Sequence, residues 1–275
     1  MIKSLIKPML RTLISGVVSG KINPYTDVTY TESGGDATIT GCVGACPAVV
    51  SIPPAIDGFT VIAIADLAFY NESITELTLP NSITNIGASA FKDNLLTSII
   101  LPSSLITLQD LSFDTNALTT LIIPNSVITI GDNAFRDNSL TSATISNSVT
   151  NIGYASFYRN ALTNITIPDS VITIEALAFS YNSLTSLTIG NSVTSIGGYV
   201  FRSNALTSVT ISNSVTVIGG NAFRNNALTS VEFSGDRPLL GGSAFAGNSI
   251  ATITYISGKT GWPGADIEGV TPTAV

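Results

Sequence analysis

Histidine is absent from this chain of 275 residues. That removes the side chain most often used as a general base near neutral pH, and with it the imidazole ligand most metal sites rely on. Cysteine is nearly absent as well, with only Cys42 and Cys46 present. A tetrahedral zinc site needs two further thiolate or imidazole ligands, and the chain has none. The pair reads either as two small, partly buried residues or as a local disulfide closing a tight loop, a choice set by redox compartment. Charge is scarce, at 11% of residues against roughly 25% in ordinary soluble domains. The formal net charge of −7 argues against nucleic acid as a partner, because phosphate binding needs a clustered excess of Lys and Arg. Nucleophile motifs, Walker loops and dinucleotide fingerprints are missing, and Gly34-Gly35 and Gly197-Gly198 stand without a phosphate-loop context. No catalytic residue, cofactor or metal is expected, and the chain does not read as an enzyme.

What the sequence has instead is a period. Phe69, Phe91, Phe113, Phe135, Phe157, Phe179, Phe201, Phe223 and Phe245 are spaced 22 residues apart without exception. Other positions keep the same clock. Five residues after each Phe stands a Leu or Ile, as in Leu140, Leu162 and Leu184. Further apolar residues follow three and then two positions on, as in Leu187 and Ile189, giving L-x-x-L-x-L. A second apolar pair comes next, such as Val127 with Ile130 or Val193 with Ile196, often followed by Gly and then by Ala-Phe.

The unit can be read physically. Its L-x-x-L-x-L stretch alternates and is rich in β-branched residues, so it forms a short strand. Pro80, Pro102, Pro124 and Pro168 stop that strand. Asn-Ser pairs such as Asn147-Ser148 then turn the chain. The Ala-Phe segment closes the coil as a single helical or irregular turn. An Asn recurs three residues after the Phe, from Asn94 to Asn248, where its carboxamide can bond backbone inside a bend and tie coil to coil. One such unit cannot bury its apolar face alone, but a stack makes a continuous core. The expected fold is therefore a mainly-β repeat solenoid of the leucine-rich-repeat kind, a right-handed coil with one short parallel strand per 22-residue unit and a cap at each end.

The unit from Leu184 to Phe201, LTSLTIGNSVTSIGGYVF, resembles the BspA-type leucine-rich repeats of bacterial surface proteins. The resemblance covers about residues 27–256. It implies an extracellular or cell-surface protein that binds host, matrix or other macromolecular partners. The chain differs from many relatives in carrying Asn where they carry Cys, in the Asn94 series, and shows no obvious cell-wall sorting or transmembrane segment.

Four segments follow. Residues 1–26 hold an amphipathic stretch in which Ile2, Leu5, Ile6, Met9, Leu10, Leu13, Ile14 and Val17 oppose Lys3, Lys7 and Arg11, interrupted by Pro8. It reads as a secretory signal, as a membrane-surface anchor, or as a peptide that docks the solenoid on a larger assembly such as a phage virion, residues 1–20 making the contact. Residues 27–64 read as a β cap, a hairpin around Gly34-Gly35, with an irregular first coil. Residues 65–256 are the repeat solenoid. Residues 257–275 break the period, carry the single tryptophan, Trp262, and read as a cap.

Two surfaces are candidates for binding. Between the inward aliphatics of the strand lie Ser98, Thr120, Ser142, Thr144, Asn164, Thr166, Ser186, Thr188, Ser208, Thr210 and Ser230, with Ile100, Ile122 and Glu232 in the same columns. These project outward as a flat ladder, about 4.8 Å from coil to coil and about 6.7 Å between alternate residues. Such a ladder serves simple β-propensity, recognition of a protein or glycan ligand, or ice binding. A stripe of Asp93, Asp114 and Asp137 with Lys92, Arg136, Arg159, Arg202 and Arg224 follows the phenylalanines along one edge, as a solvated edge or a polar docking rim.

Overall fold

The computed structural model describes residues 21–22, 28–262 and 264–275. The amphipathic segment of residues 1–20 lies outside them. Among the described residues the chain is a stack of β coils with no helix, so the turn at Ala-Phe is irregular.

The stack begins with a hairpin. Strands Val28–Ser33 and Asp36–Cys42 pair antiparallel around Gly34 and Gly35, whose φ values of 64° and 95° suit a tight two-residue turn. Asp36–Cys42 then pairs in parallel with Phe59–Ile64, converting the hairpin into the first rung of the solenoid. Cys42 is disulfide-bonded to Cys46 just beyond that strand, so the second of the two readings of this pair holds.

From Phe59–Ile64 onward one parallel ladder runs the length of the molecule through Asn85–Ile86, Thr107–Leu108, Thr129–Ile130, Asn151–Ile152, Thr173–Ile174, Ser195–Ile196, Val217–Ile218 and Leu239–Leu240. This ladder is built from the second apolar pair of the unit, so each coil holds a second strand beside the L-x-x-L-x-L strand. The L-x-x-L-x-L ladder is shorter and divided. Thr120–Ile122 pairs with Ser142–Thr144, and Asn164–Thr166 pairs with Ser186–Thr188. Ser208–Ile211, Ser230–Phe233 and Thr252–Tyr255 form a third group. Partners are one repeat apart throughout, as Thr129↔Asn151 and Thr166↔Thr188 show.

A third ladder is not a strand. In each turn the residues two before and two after the Phe take left-handed φ, for example Asn133 (55°) and Asp137 (49°), or Leu177 (63°) and Tyr181 (56°). Alternate N–H groups then point along the stack, and Asn133, Phe135 and Asp137 donate to the carbonyls of Tyr154, Ser156 and Tyr158 in the next coil. Left-handed φ is costly for residues with a Cβ, roughly 1–2 kcal/mol each. The coil-to-coil hydrogen bonds offset that cost.

The core is a column of rings. All nine repeat phenylalanines are buried and stack at centroid distances between 5.2 and 5.7 Å. Beside the column runs a polar clamp. Asn182 Oδ1 accepts from the Leu162 N–H, while its Nδ2 donates to the carbonyls of Phe157 and Phe179. The same set recurs from Asn94 to Asn248, with Glu72 accepting from the Cys46 N–H at the equivalent place in the first coil. At the far end Trp262 is buried against Tyr255 and Phe233, and strand Thr273–Ala274 pairs with Thr252–Tyr255.

Candidate functional site

The strand face follows from alternation. In Asn164–Thr166 the burial runs exposed, buried, exposed, because Ile165 fills the core and its neighbours must point away. The same geometry exposes Ser98, Thr120, Ser142, Thr144, Asn164, Thr166, Ser186, Thr188, Ser208 and Thr210, and leaves Ser230 half-buried. Register brings Thr120 beside Ser142, Asn164 beside Ser186, Thr166 beside Thr188, and Ser208 beside Ser230. Ser98 lies outside any strand. Two exposed isoleucines, Ile100 and Ile122, occupy the amino-terminal end of the face, and Glu232 pairs with Thr210 at the other.

A third column beside these was not singled out from the sequence. Thr97, Thr119, Thr141, Thr163, Thr185, Thr207 and Thr229 are all exposed and precede the outward Ser, Thr or Asn by one position. The hydroxyls of Thr119, Thr141, Thr185 and Thr229 donate to the threonine carbonyl one coil back, at 3.2–3.4 Å. These four hydroxyls are thereby engaged with the backbone of the neighbouring coil. The signal was available, since these threonines share the 22-residue clock. Between the sheets ending at Thr144 and starting at Asn164 a shallow depression opens, lined by Thr144, Asn147, Asn164, Thr166 and Pro168. The face therefore offers hydroxyls, amides and methyls on a rigid grid, with charge at its margins.

The turn edge is different. Asp114 is buried and accepts a hydrogen bond from the Lys92 ammonium, with Arg136 Nε 3.9 Å away. Burial pulls the Lys92 pKa down, but the Asp114 hydrogen bond and charge outweigh it, leaving the ammonium above the ordinary lysine value. Arg136 also donates to Asp137 at 2.8 Å. In the following coils the edge carries arginine and tyrosine in contact.

The profile of the BspA type leucine rich repeat region matches this sequence in six copies, over residues 62–182 and 150–262. The chain belongs to the BspA-type leucine-rich repeat family. Solved structures of the same fold include a leucine-rich repeat protein from Bacteroides ovatus, 22% identical with a TM-score of 0.60, covering 83% of this chain and 70% of that one. The pneumococcal vaccine antigen PcpA is 21% identical with a TM-score of 0.62, over 85% and 73% of the two chains. A leucine rich cell surface protein from Faecalibacterium prausnitzii is 22% identical with a TM-score of 0.51, over 87% and 77%. At these identities the likeness is one of fold. No curated protein matches the chain.

Proposed function

We infer that this BspA-type repeat protein is a non-enzymatic recognition module that presents its Ser/Thr strand face to a macromolecular partner, a protein or a glycan, at a cell surface or on a virion. The observation that carries the reading is the grid itself: in-register, exposed, uncharged side chains repeated over successive coils on a rigid backbone. Such a surface can be read by a long partner at many points, each contact weak and the sum large. The paired cysteines fit an oxidising, extracellular setting. A screen of surface proteins and glycans against the full chain would supply the partner. Ser186→Arg together with Ser208→Arg is expected to weaken that binding at least tenfold, and unchanged affinity would refute the assignment of the face.

A second reading takes the solenoid as a spacer in a phage virion or surface layer, attached through residues 1–20. The uninterrupted ladder from Phe59–Ile64 to Leu239–Leu240 favours it, since it makes the stack rod-like. Electron microscopy of native particles separates the two. Ice binding is disfavoured because Ile100, Ile122, Asn164 and Glu232 break the threonine array.

A further inference from the structure

The coils of Phe157, Phe179 and Phe201 carry a strip on their turn edge that the strand face does not use. The Arg159 guanidinium lies 5.3 Å from the Tyr158 ring, and Tyr158 meets Tyr181 edge-on at 5.5 Å. Arg202 sits between Tyr181 at 5.4 Å and Tyr199 at 5.6 Å. Tyr181 and Tyr199 are exposed. A guanidinium stacked on rings keeps its N–H fork free for acceptors in its own plane. One donor of that fork, Arg202 Nε, is shielded from solvent and has no hydrogen-bond partner.

Charge changes along this edge. In the earlier coils Asp114 answers Lys92, and Asp137 answers Arg136. Between Asp137 and Glu232 the only acidic residues are Asp169 and Glu175, and Asp169 accepts from the Asn191 N–H in the turn that follows the strand face. Arg202 and Arg224 have no ion pair among the described residues, and Arg159 approaches Asp137 only at 3.9 Å. An otherwise acidic chain thus presents a local cationic strip interleaved with aromatic faces.

We propose that this strip binds an acidic polysaccharide lying along the solenoid axis. The electron-rich tyrosine faces meet the electropositive C–H faces of the sugar rings. The Arg159 and Arg202 forks take the carboxylate or sulfate groups. Coils repeat about every 4.8 Å, close to the length of one sugar unit, so successive rings of a linear polymer meet successive side chains. An acidic peptide would satisfy the arginines but leave the tyrosine faces without a matching flat partner.

The test uses the full chain at low salt with three probes: polygalacturonate, dextran as the neutral control, and polyglutamate as the charge control. Affinity electrophoresis or calorimetry should show polygalacturonate binding and no dextran binding, with polyglutamate at least tenfold weaker. Arg159→Asn with Arg202→Ser should weaken polygalacturonate at least tenfold, and Tyr181→Asn, which leaves the charge unchanged, about fivefold. These replacements already occupy equivalent places in other coils, as Asn225 and Ser180, so the fold accommodates them. Ser186→Ala with Ser208→Ala should leave this binding unchanged, which keeps the strip distinct from the strand face. The proposal is overturned if polygalacturonate does not bind, if the double arginine variant or Tyr181→Asn binds as wild type does, or if polyglutamate binds equally well.

Discussion

Replacing Asn182 by Ala tests the clamp that joins neighbouring coils. The side chain is buried, accepts from Leu162 N–H at 3.0 Å, and donates to the carbonyls of Phe157 at 2.9 Å and Phe179 at 3.1 Å. Alanine leaves one N–H and two carbonyls with reduced partnership in a water-poor bend. A buried polar group stranded in this way costs about 1–3 kcal/mol. The N–H loses its acceptor outright, while the Phe157 carbonyl keeps Asn160 as a donor and the Phe179 carbonyl keeps Asn204, so the sum is about 2–4 kcal/mol. For a chain of this size that corresponds to a fall in melting temperature of roughly 4–12 °C. Asn182→Asp should be at least as damaging, because it keeps the acceptor but turns a carboxylate toward two carbonyl oxygens. Chemical denaturation followed by circular dichroism reads both variants. A loss below about 1 kcal/mol for Asn182→Ala would show that the clamp is a passenger of the fold and that the β ladders alone hold the coils together.

Three further outcomes are expected. Phe157→Ala removes one ring from the column and should cost about 3–5 kcal/mol, measured by the same denaturation. Deleting residues 257–275 uncovers Phe233, Tyr255 and the edge of Thr252–Tyr255, so light scattering should show association, whereas a monomer with unchanged melting would refute the capping role of the tail. Lys92 is held above its ordinary pKa, so its contribution is fully present below roughly pH 10 and is lost as pH rises through the higher folded value. Lys92→Met leaves the buried Asp114 carboxylate poorly compensated, should cost about 3 kcal/mol near neutral pH, and should remove the Lys92 part of the alkaline fall in stability.

Much of this was legible because a repeat multiplies weak signals. A single Phe says little, but nine at one spacing located the core column, and the alternation around Ile165 or Val209 placed the outward Ser and Thr columns. The Asn94 series was readable as a backbone binder from its chemistry and position. The long ladder was not, because strands of two residues such as Thr129–Ile130 are too short to show a period of two. The left-handed turns were hidden for a different reason. Asn133 and Asp137 occupy them in one coil but Leu177 and Tyr181 in another, so no constant Gly or Asn announces positive φ along the stack. The arginines of the strip were readable as an edge stripe, but its tyrosines were not, because Tyr158, Tyr181 and Tyr199 sit at three different places around the Phe and acquire meaning only when stacked.

The three ladders all lie along the same axis, and that has a mechanical consequence. Tension applied at the two ends does not shear many hydrogen bonds at once; it loads one coil boundary at a time. Each boundary carries a similar set: the long-ladder pairing, at some boundaries a second strand pairing, the irregular rung, one Asn clamp and one ring contact. The chain should therefore yield as a spool does, releasing one turn per event at similar force. Each released turn of 22 residues adds roughly 75 Å of contour. A protein built in this way lengthens in even steps under load, and every step leaves the remaining coils, with whatever they hold, still wound.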